Sequence, residues 1–139
     1  MLSKSILSVV PYSIRTIRRF TAAAITAPLS FQQLRILILI KEGKGQTEMA
    51  DLLQVSTAAI SKMISQLEIK KYALRMPGKD RRSLELKLTK EGTKVLNKVF
   101  GKLEDRFEKN IKRLSKQEQA DLGKGLIVLE KLMGFVNEV

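Results

Sequence analysis

The stretch that decides the fold is YALRMPGKDRRSLELKLTKEG, residues Tyr72–Gly92. Leucines alternate with other residues along Ser83–Leu88, and the segment Tyr72–Met76 is rich in residues typical of strands. A proline and a glycine, which favour turns, follow Met76. The pattern predicts two short strands, Tyr72–Met76 and Ser83–Leu88, joined as a β-hairpin.

The tip of this hairpin is strongly charged. One arginine there can enter a narrow minor groove of DNA, where the negative potential is enhanced. Asp80 is expected to hold an arginine through a bidentate pair, since phosphates repel an isolated carboxylate. The alternative is an exposed salt bridge within the turn, worth less than about 1 kcal/mol. The residues of the tip predicted to contact DNA are Lys79, Asp80, Arg81 and Arg82.

Two short helices are predicted directly before the hairpin, Thr47–Leu53 with Thr47 as its N-cap and a second, capped by Ser56 or Thr57, that runs to Lys70. The small Ala50 lies within an apolar set, which suits two helices that cross closely at a tight turn. A helix-turn-helix followed by a hairpin is a winged arrangement, so the hairpin is a wing. The apolar set is Met49, Leu53, Val55, Ile60 and Met63.

The second of these helices, called here the recognition helix, is expected to turn a polar face outward. Gln66 can pair bidentately with adenine, and Lys62 can bind guanine or a phosphate. Thr57 and Ala58 can contact a thymine methyl group, and the opening residues of the preceding helix, Gln46 and Thr47, are expected at the DNA backbone. The predicted DNA-binding residues of the recognition helix are Ser56, Thr57, Ala58, Ser61, Lys62, Ser65 and Gln66.

The remaining sequence predicts four more helices, over Ser3–Ala24 (bent or begun near Pro11), from Ser30 to Lys41, over Thr89–Leu114, and from a capping box at Ser115. The terminal apolar rows have little surface within one chain to cover, which favours an isologous homodimer over packing within one subunit. A cleaved leader is the alternative for the first helix. The predicted interface residues are Ile6, Val10, Ile14, Leu122, Leu126, Leu129, Met133 and Val136.

We therefore predict a mainly α-helical fold with a small β-hairpin wing, dimerising through its N- and C-terminal helices. Its predicted parts are an N-terminal dimerisation helix (1–28), a winged helix-turn-helix DNA-binding lobe (29–90) and C-terminal dimerisation helices (91–139), intertwined as one domain.

The composition narrows the function. A net charge of +12 suits a polyanionic partner, and positions 71–90 carry seven basic residues against two acidic ones. The chain has no histidine and no cysteine, which argues against metal sites, cofactor-free nucleophilic catalysis and thiol redox switching. No run of 18 apolar residues exists, so no membrane partner is expected.

Two parts of the sequence together resemble the MarR family of multiple-antibiotic-resistance regulators: Asp80-Arg81-Arg82 with Leu84–Gly92, and the recognition-helix region from Leu52 to Glu68. The resemblance implies a bacterial, cytoplasmic homodimer that binds a pseudo-palindromic operator as a repressor and is not an enzyme. It also implies a small-molecule effector, an anionic aromatic compound in a crevice between the dimer helices and the DNA-binding lobe. Arg15, Arg18 and Arg19 can offer charge there, or simply face solvent.

The sequence departs from the expected pattern at two turns, one of the helix-turn-helix motif in general and one of that family. Gln54 replaces the usual glycine of the helix-turn-helix, and Lys71 replaces the glycine that ends the recognition helix. A left-handed conformation at Lys71 would cost about 1 kcal/mol. The alternative function is a winged-helix module that binds proteins, but such a module would not need the cationic tip or the polar helical face.

Overall fold

The computed structural model of the chain describes residues 1–26, 28–80 and 84–138. The described residues form six helices and one two-stranded antiparallel sheet, which confirms the predicted mainly α-helical fold with a small hairpin. The elements are α1 Leu2–Ala24, α2 Phe31–Lys41, α3 Gln46–Leu53, α4 Thr57–Ile69, β1 Ala73–Pro77, β2 Leu84–Leu88, α5 Lys90–Ile111 and α6 Lys116–Asn137.

Helices α3 and α4 form the predicted helix-turn-helix on α2. Met49 and Ile60 are completely buried at their contact, and Ala50 is buried beside them. The turn passes through Gln54 in the left-handed conformation (φ 55°), and its side-chain Nε2 donates to the Asp51 carbonyl oxygen at 2.7 Å. The polar side chain thus bonds the backbone locally where glycine would be the default residue.

Helix starts agree with the capping prediction at three of four sites. Ser30, Ser56 and Ser115 each accept a hydrogen bond from a backbone N–H of the first turn, and Ser30 and Ser115 do so in complete capping boxes. The predicted Thr47 cap is wrong, because α3 already begins at Gln46 and Gly45 occupies the N-cap position without a side-chain bond.

Helix α1 includes the residues before Pro11, where one of the two predictions had it begin. It begins at Leu2 and continues through Pro11, so the prediction that it starts near Pro11 is wrong. Proline costs a helix one backbone hydrogen bond and a clash with the preceding turn. The other backbone hydrogen bonds of this 23-residue helix compensate for that loss.

The wing is a regular antiparallel ladder in which Ala73 pairs with Leu88, Arg75 with Leu86 and Pro77 with Leu84. Directly opposed residues share a face, so the pairs Ala73–Leu88 and Arg75–Leu86 turn toward the helices while Leu74 and Lys87 turn away. The last pair, Pro77 with Leu84, is exposed. Strand β1 is shifted by one residue from the predicted Tyr72–Met76. Residues 81–83, and with them Arg81 and Arg82, lie outside the described part of the chain.

Hydrogen bonds and close packing hold the start of α5 against the segment that follows α4. Lys71 is left-handed (φ 64°), as its family position suggested, and reverses the chain after α4. Thr89 Oγ1 donates to the Lys71 carbonyl oxygen at 2.6 Å and accepts from Gly92 N at 2.9 Å. Gly92 is buried against Tyr72, and a Cβ there would overlap the Tyr72 carbonyl group. The close approach of the two backbones explains why position 92 is a glycine.

The chain divides into two compact units, Met1–Leu103 and Glu104–Val139. The first contains the hydrophobic core, to which α2 contributes Leu34, Ile36, Leu37 and Ile40. In the second, α6 has no buried residue among those described. The predicted division at 1–28, 29–90 and 91–139 stays a prediction.

We expect Gly92→Ala to lower the free energy of unfolding by about 1–3 kcal/mol or more, because backbone must move to admit the methyl group. Gly101→Ala is the matched control, since it lies in the same helix and a Cβ there meets nothing within 4 Å. That control should raise stability by about 0.5–1 kcal/mol. Urea unfolding measures both; equal effects would contradict the close approach at Tyr72.

Candidate nucleic-acid interface

The recognition helix is α4, and its orientation is set by its apolar side. Ile60, Ile64 and Leu67 have no exposed surface, while Thr57, Ala58, Lys62 and Gln66 are exposed. At helical spacing Ala58, Lys62 and Gln66 lie away from the buried row, while Thr57 is exposed as the first residue of the helix. Ser56 is exposed too, but its hydroxyl accepts the capping bond from Ala59 N at 3.1 Å.

Arg75 on β1 connects the wing to α4. Its Nη2 donates to the Ser61 carbonyl oxygen at 2.9 Å and to Ser61 Oγ at 3.0 Å. Its Nη1 donates to Ser65 Oγ at 3.1 Å and pairs with Glu68. One half-buried guanidinium therefore bonds three successive turns of the helix, and it fixes the wing beside α4.

Ser61 and Ser65 therefore lie where the wing meets the recognition helix. Both are half-buried and their hydroxyls bond Arg75, so they face the wing strand, at the edge of the exposed face. Their assignment as base-contacting residues stays a prediction. Arg75 was missed because the sequence analysis counted it only as a charge. The available signal was its place two residues after the buried Ala73, on the same side of an alternating strand.

The other edge of α4 bonds α2. The buried Gln33 donates from Nε2 to Gln66 Oε1 at 3.2 Å, and Gln33 Oε1 accepts from Lys70 Nζ at 2.8 Å. Lys70 Nζ also donates to the Pro28 carbonyl oxygen. The recognition helix is thus held by polar contacts on both sides of its exposed face.

The remaining residues that are predicted to contact DNA lie at the wing tip and at the start of α3. Lys79 and Asp80 are exposed at the wing tip, and Thr47 is exposed and Gln46 half-buried in the first turn of α3. Their contacts with DNA stay predictions. The strongest sequence candidates, Arg81 and Arg82, lie outside the described residues.

The residues predicted to form the dimer interface are exposed to solvent or half-buried in the single chain. On α1, Ile14 is 53% exposed, and Ile6 and Val10 are half-buried. On α6, the exposed ones include Leu126 at 56% and Val136 at 64%, with Leu122 and Met133 also exposed and Leu129 half-buried. Contiguous exposed apolar rows of this kind mark interaction surfaces.

The arginines predicted near an effector lie on α1. Arg18 places its guanidinium carbon 5.3 Å from the Phe31 ring centre, and Arg19 lies 5.4 Å from that of Phe20. Both are cation–π distances. Arg15 is exposed.

The described residues offer neither a metal site nor a membrane-spanning helix. They contain no group of three or more acidic, histidine or cysteine side chains that could hold a metal ion. None of the helices described is long and apolar enough to cross a bilayer.

Solved structures of the same fold match nearly the whole chain. A MarR family protein from Bacillus stearothermophilus superposes with a TM-score of 0.83 at 14% identity, with 96% of each chain covered. FabT from Streptococcus pneumoniae in complex with DNA matches with a TM-score of 0.75 at 21% identity, over 97% of this chain and 99% of that one. Apo MarR from Escherichia coli matches with a TM-score of 0.71 at 21% identity, over 87% and 93%.

No protein-family model matches the sequence, and no curated protein does. The structural likenesses confirm the fold implied by the sequence resemblance: the chain has the winged helix-turn-helix fold of the MarR-family regulators.

We expect Arg75→Ala to lower the free energy of unfolding by about 1.5–3 kcal/mol, as for other hydrogen bonds to charged groups, because it removes a half-buried donor from Ser61, Ser65 and Glu68. Lys87→Ala on the outer face of the same hairpin should change it by less than about 0.5 kcal/mol. A double-mutant cycle with Glu68→Gln should show coupling of at least about 0.5 kcal/mol. Strictly additive effects would contradict the link between wing and helix.

Proposed function

We propose that the chain belongs to the MarR family and is a sequence-specific, double-stranded-DNA-binding transcription regulator. The observation that carries this proposal is the exposed face of α4, with Thr57, Ala58, Lys62 and Gln66 held beside a wing by Arg75. An α-helix fits the major groove of B-DNA, and residues near its N-terminal end contact the base edges. The solved FabT–DNA complex of the same fold supports this use.

Charge supports the same partner. The chain carries 26 basic residues against 14 acidic ones. Lys62 lies on the exposed face of α4 and Lys79 at the wing tip, close in sequence to Arg81 and Arg82. Phosphate contacts from such residues give affinity independent of sequence, and contacts to base edges add the discrimination.

We further propose that the active form is a homodimer. An exposed apolar row on α6 and another on α1 would each lose their contact with water against a second copy. An isologous dimer repeats the recognition helix about a two-fold axis, so each subunit meets one half of a pseudo-palindromic operator. Stable interfaces bury about 1,200–2,000 Å² in total, which two rows of this length can supply.

Three finer proposals follow from the family resemblance alone. The regulator acts in the cytoplasm, it represses transcription, and a small anionic aromatic effector releases it from DNA. We assign it no enzymatic activity and no cofactor.

Selection of bound sequences from randomised duplexes tests the proposed function directly. We expect an enriched sequence with two-fold symmetry, and affinity that falls by about 10³–10⁵-fold between 50 and 200 mM salt if six to ten phosphates are contacted. Enrichment of no sequence, with no duplex bound in dilute buffer, would refute the proposal.

We expect Lys62→Ala to reduce affinity for the selected duplex and, if Lys62 meets a phosphate, to reduce the slope of log affinity against log salt by about one. Lys98→Ala removes the same charge from the exposed side of α5 and serves as the matched control. Fluorescence anisotropy titrations at several salt concentrations measure both variants. Equal affinities of the two variants would contradict the assigned role of α4.

We expect Leu126→Glu to convert the dimer to monomers at micromolar concentration and to weaken operator binding, because it buries a carboxylate in the apolar interface. Ala120→Glu adds the same charge on the opposite side of α6 and should preserve the dimer. Sedimentation velocity distinguishes the two forms. A Leu126→Glu dimer as stable as the wild type would contradict the assigned interface.

A further inference from the structure

The amide of Gln33 has only one possible orientation. Gln33 is 8% exposed, and its Oε1 accepts from the backbone N–H of Ser30 at 3.1 Å and from Lys70 Nζ at 2.8 Å. A backbone N–H and an ammonium group can only donate hydrogen bonds. The oxygen of Gln33 must therefore face these two donors, and its NH₂ group must face the remaining neighbour, Gln66.

The orientation of Gln33 in turn sets that of Gln66. The atom of Gln66 that lies 3.2 Å from Gln33 Nε2 must be an acceptor, and the only acceptor in a glutamine side chain is its oxygen. Gln66 Oε1 therefore points toward α2, and the NH₂ group of Gln66 is turned away from Gln33. Gln66 itself lies on the exposed face of α4.

We propose that Gln33 determines DNA sequence specificity indirectly, by making Gln66 a hydrogen-bond donor toward the bases. This inference rests on the proposed DNA-binding function. A donor selects the acceptors in the major groove, which are O6 and N7 of guanine, N7 of adenine and O4 of thymine, and it selects against cytosine, whose only polar group there is the N4 donor. The bidentate pairing with adenine expected from the sequence uses the amide oxygen as well, and one of the two lone pairs of that oxygen already accepts from Gln33, so we expect the NH₂ group to carry the discrimination.

Reversing Gln66 is unfavourable in the folded protein. If Gln66 turned its NH₂ group toward α2, two NH₂ groups would meet, and Gln33 could relieve this only by giving up its bonds from Ser30 and Lys70. Leaving one buried polar group without a partner shifts an equilibrium by roughly tenfold or more. Gln33 is therefore a positioning residue that acts on base choice through Gln66.

Base preference at a single position of the operator tests the inference. In selections with Gln66→Ala, one position per half-site should lose its preference, and at that position the wild type should select against cytosine. Gln33→Glu should move the preference there toward cytosine, by about tenfold. A carboxylate only accepts hydrogen bonds, so it keeps the bonds from Ser30 and Lys70 but draws the NH₂ group of Gln66 inward and turns the oxygen toward DNA.

Two further variants complete the experiment. Gln66→Glu should give the same shift, because its carboxylate accepts from Gln33 and presents an acceptor to DNA, and its exposed position leaves the fold intact even if Gln33→Glu unfolds. Gln32→Glu adds the same charge at the neighbouring exposed position of α2 and should leave base preference unchanged.

The inference is overturned if Gln66→Ala changes no position, if the wild type prefers cytosine at the position that Gln66 controls, or if neither acidic variant moves the preference. In each of these cases the wild type still binds duplex DNA, so the proposed function survives. If the wild-type protein binds no duplex, both the proposed function and this inference are refuted.

Discussion

A helix can read a sequence of bases only if it cannot rotate about its own axis, and the rotation of α4 is the constraint on which this structure depends. Ile60, Ile64 and Leu67 are fully buried and fix the inner side of the helix. Burial alone tolerates small rotations, because apolar contacts are not directional. Hydrogen bonds from Arg75 on one edge and Gln33 on the other are directional, and they hold the exposed face in place between them.

Two sets of contacts explain why the wing is held against the recognition helix. Arg75 joins β1 to the recognition helix, while the Thr89–Gly92 contact with Lys71 and Tyr72 joins the end of the hairpin and the start of α5 to the end of α4. Both strands of the wing are therefore fixed relative to α4, β1 through Arg75 and the end of β2 through Thr89. In the proposed complex with DNA, a change in one of these contacts would affect affinity through the position of the wing beside α4.

Periodicity and capping were sufficient to predict the fold, because both are local. The buried row of α4, the caps at Ser56 and Ser115 and the alternation in β2 can be found within a few residues of each other. The supports of the site could not be found this way: Gln33 and Gln66 are 33 positions apart, and Arg75 and Ser61 are 14 apart. Their pairing depends on tertiary packing, so the analysis of single positions assigned Ser61 and Ser65 to DNA and overlooked Arg75 and Gln33.

Chemical probing of the grooves in the complex tests most directly the claim that α4 lies in the major groove of each half-site. Dimethyl sulfate methylates guanine N7 in the major groove and adenine N3 in the minor groove. The account predicts that methylation at N7 blocks binding in two patches centred about one helical turn, 10–10.5 base pairs, apart. Interference confined to adenine N3, or a single patch without symmetry, would contradict it.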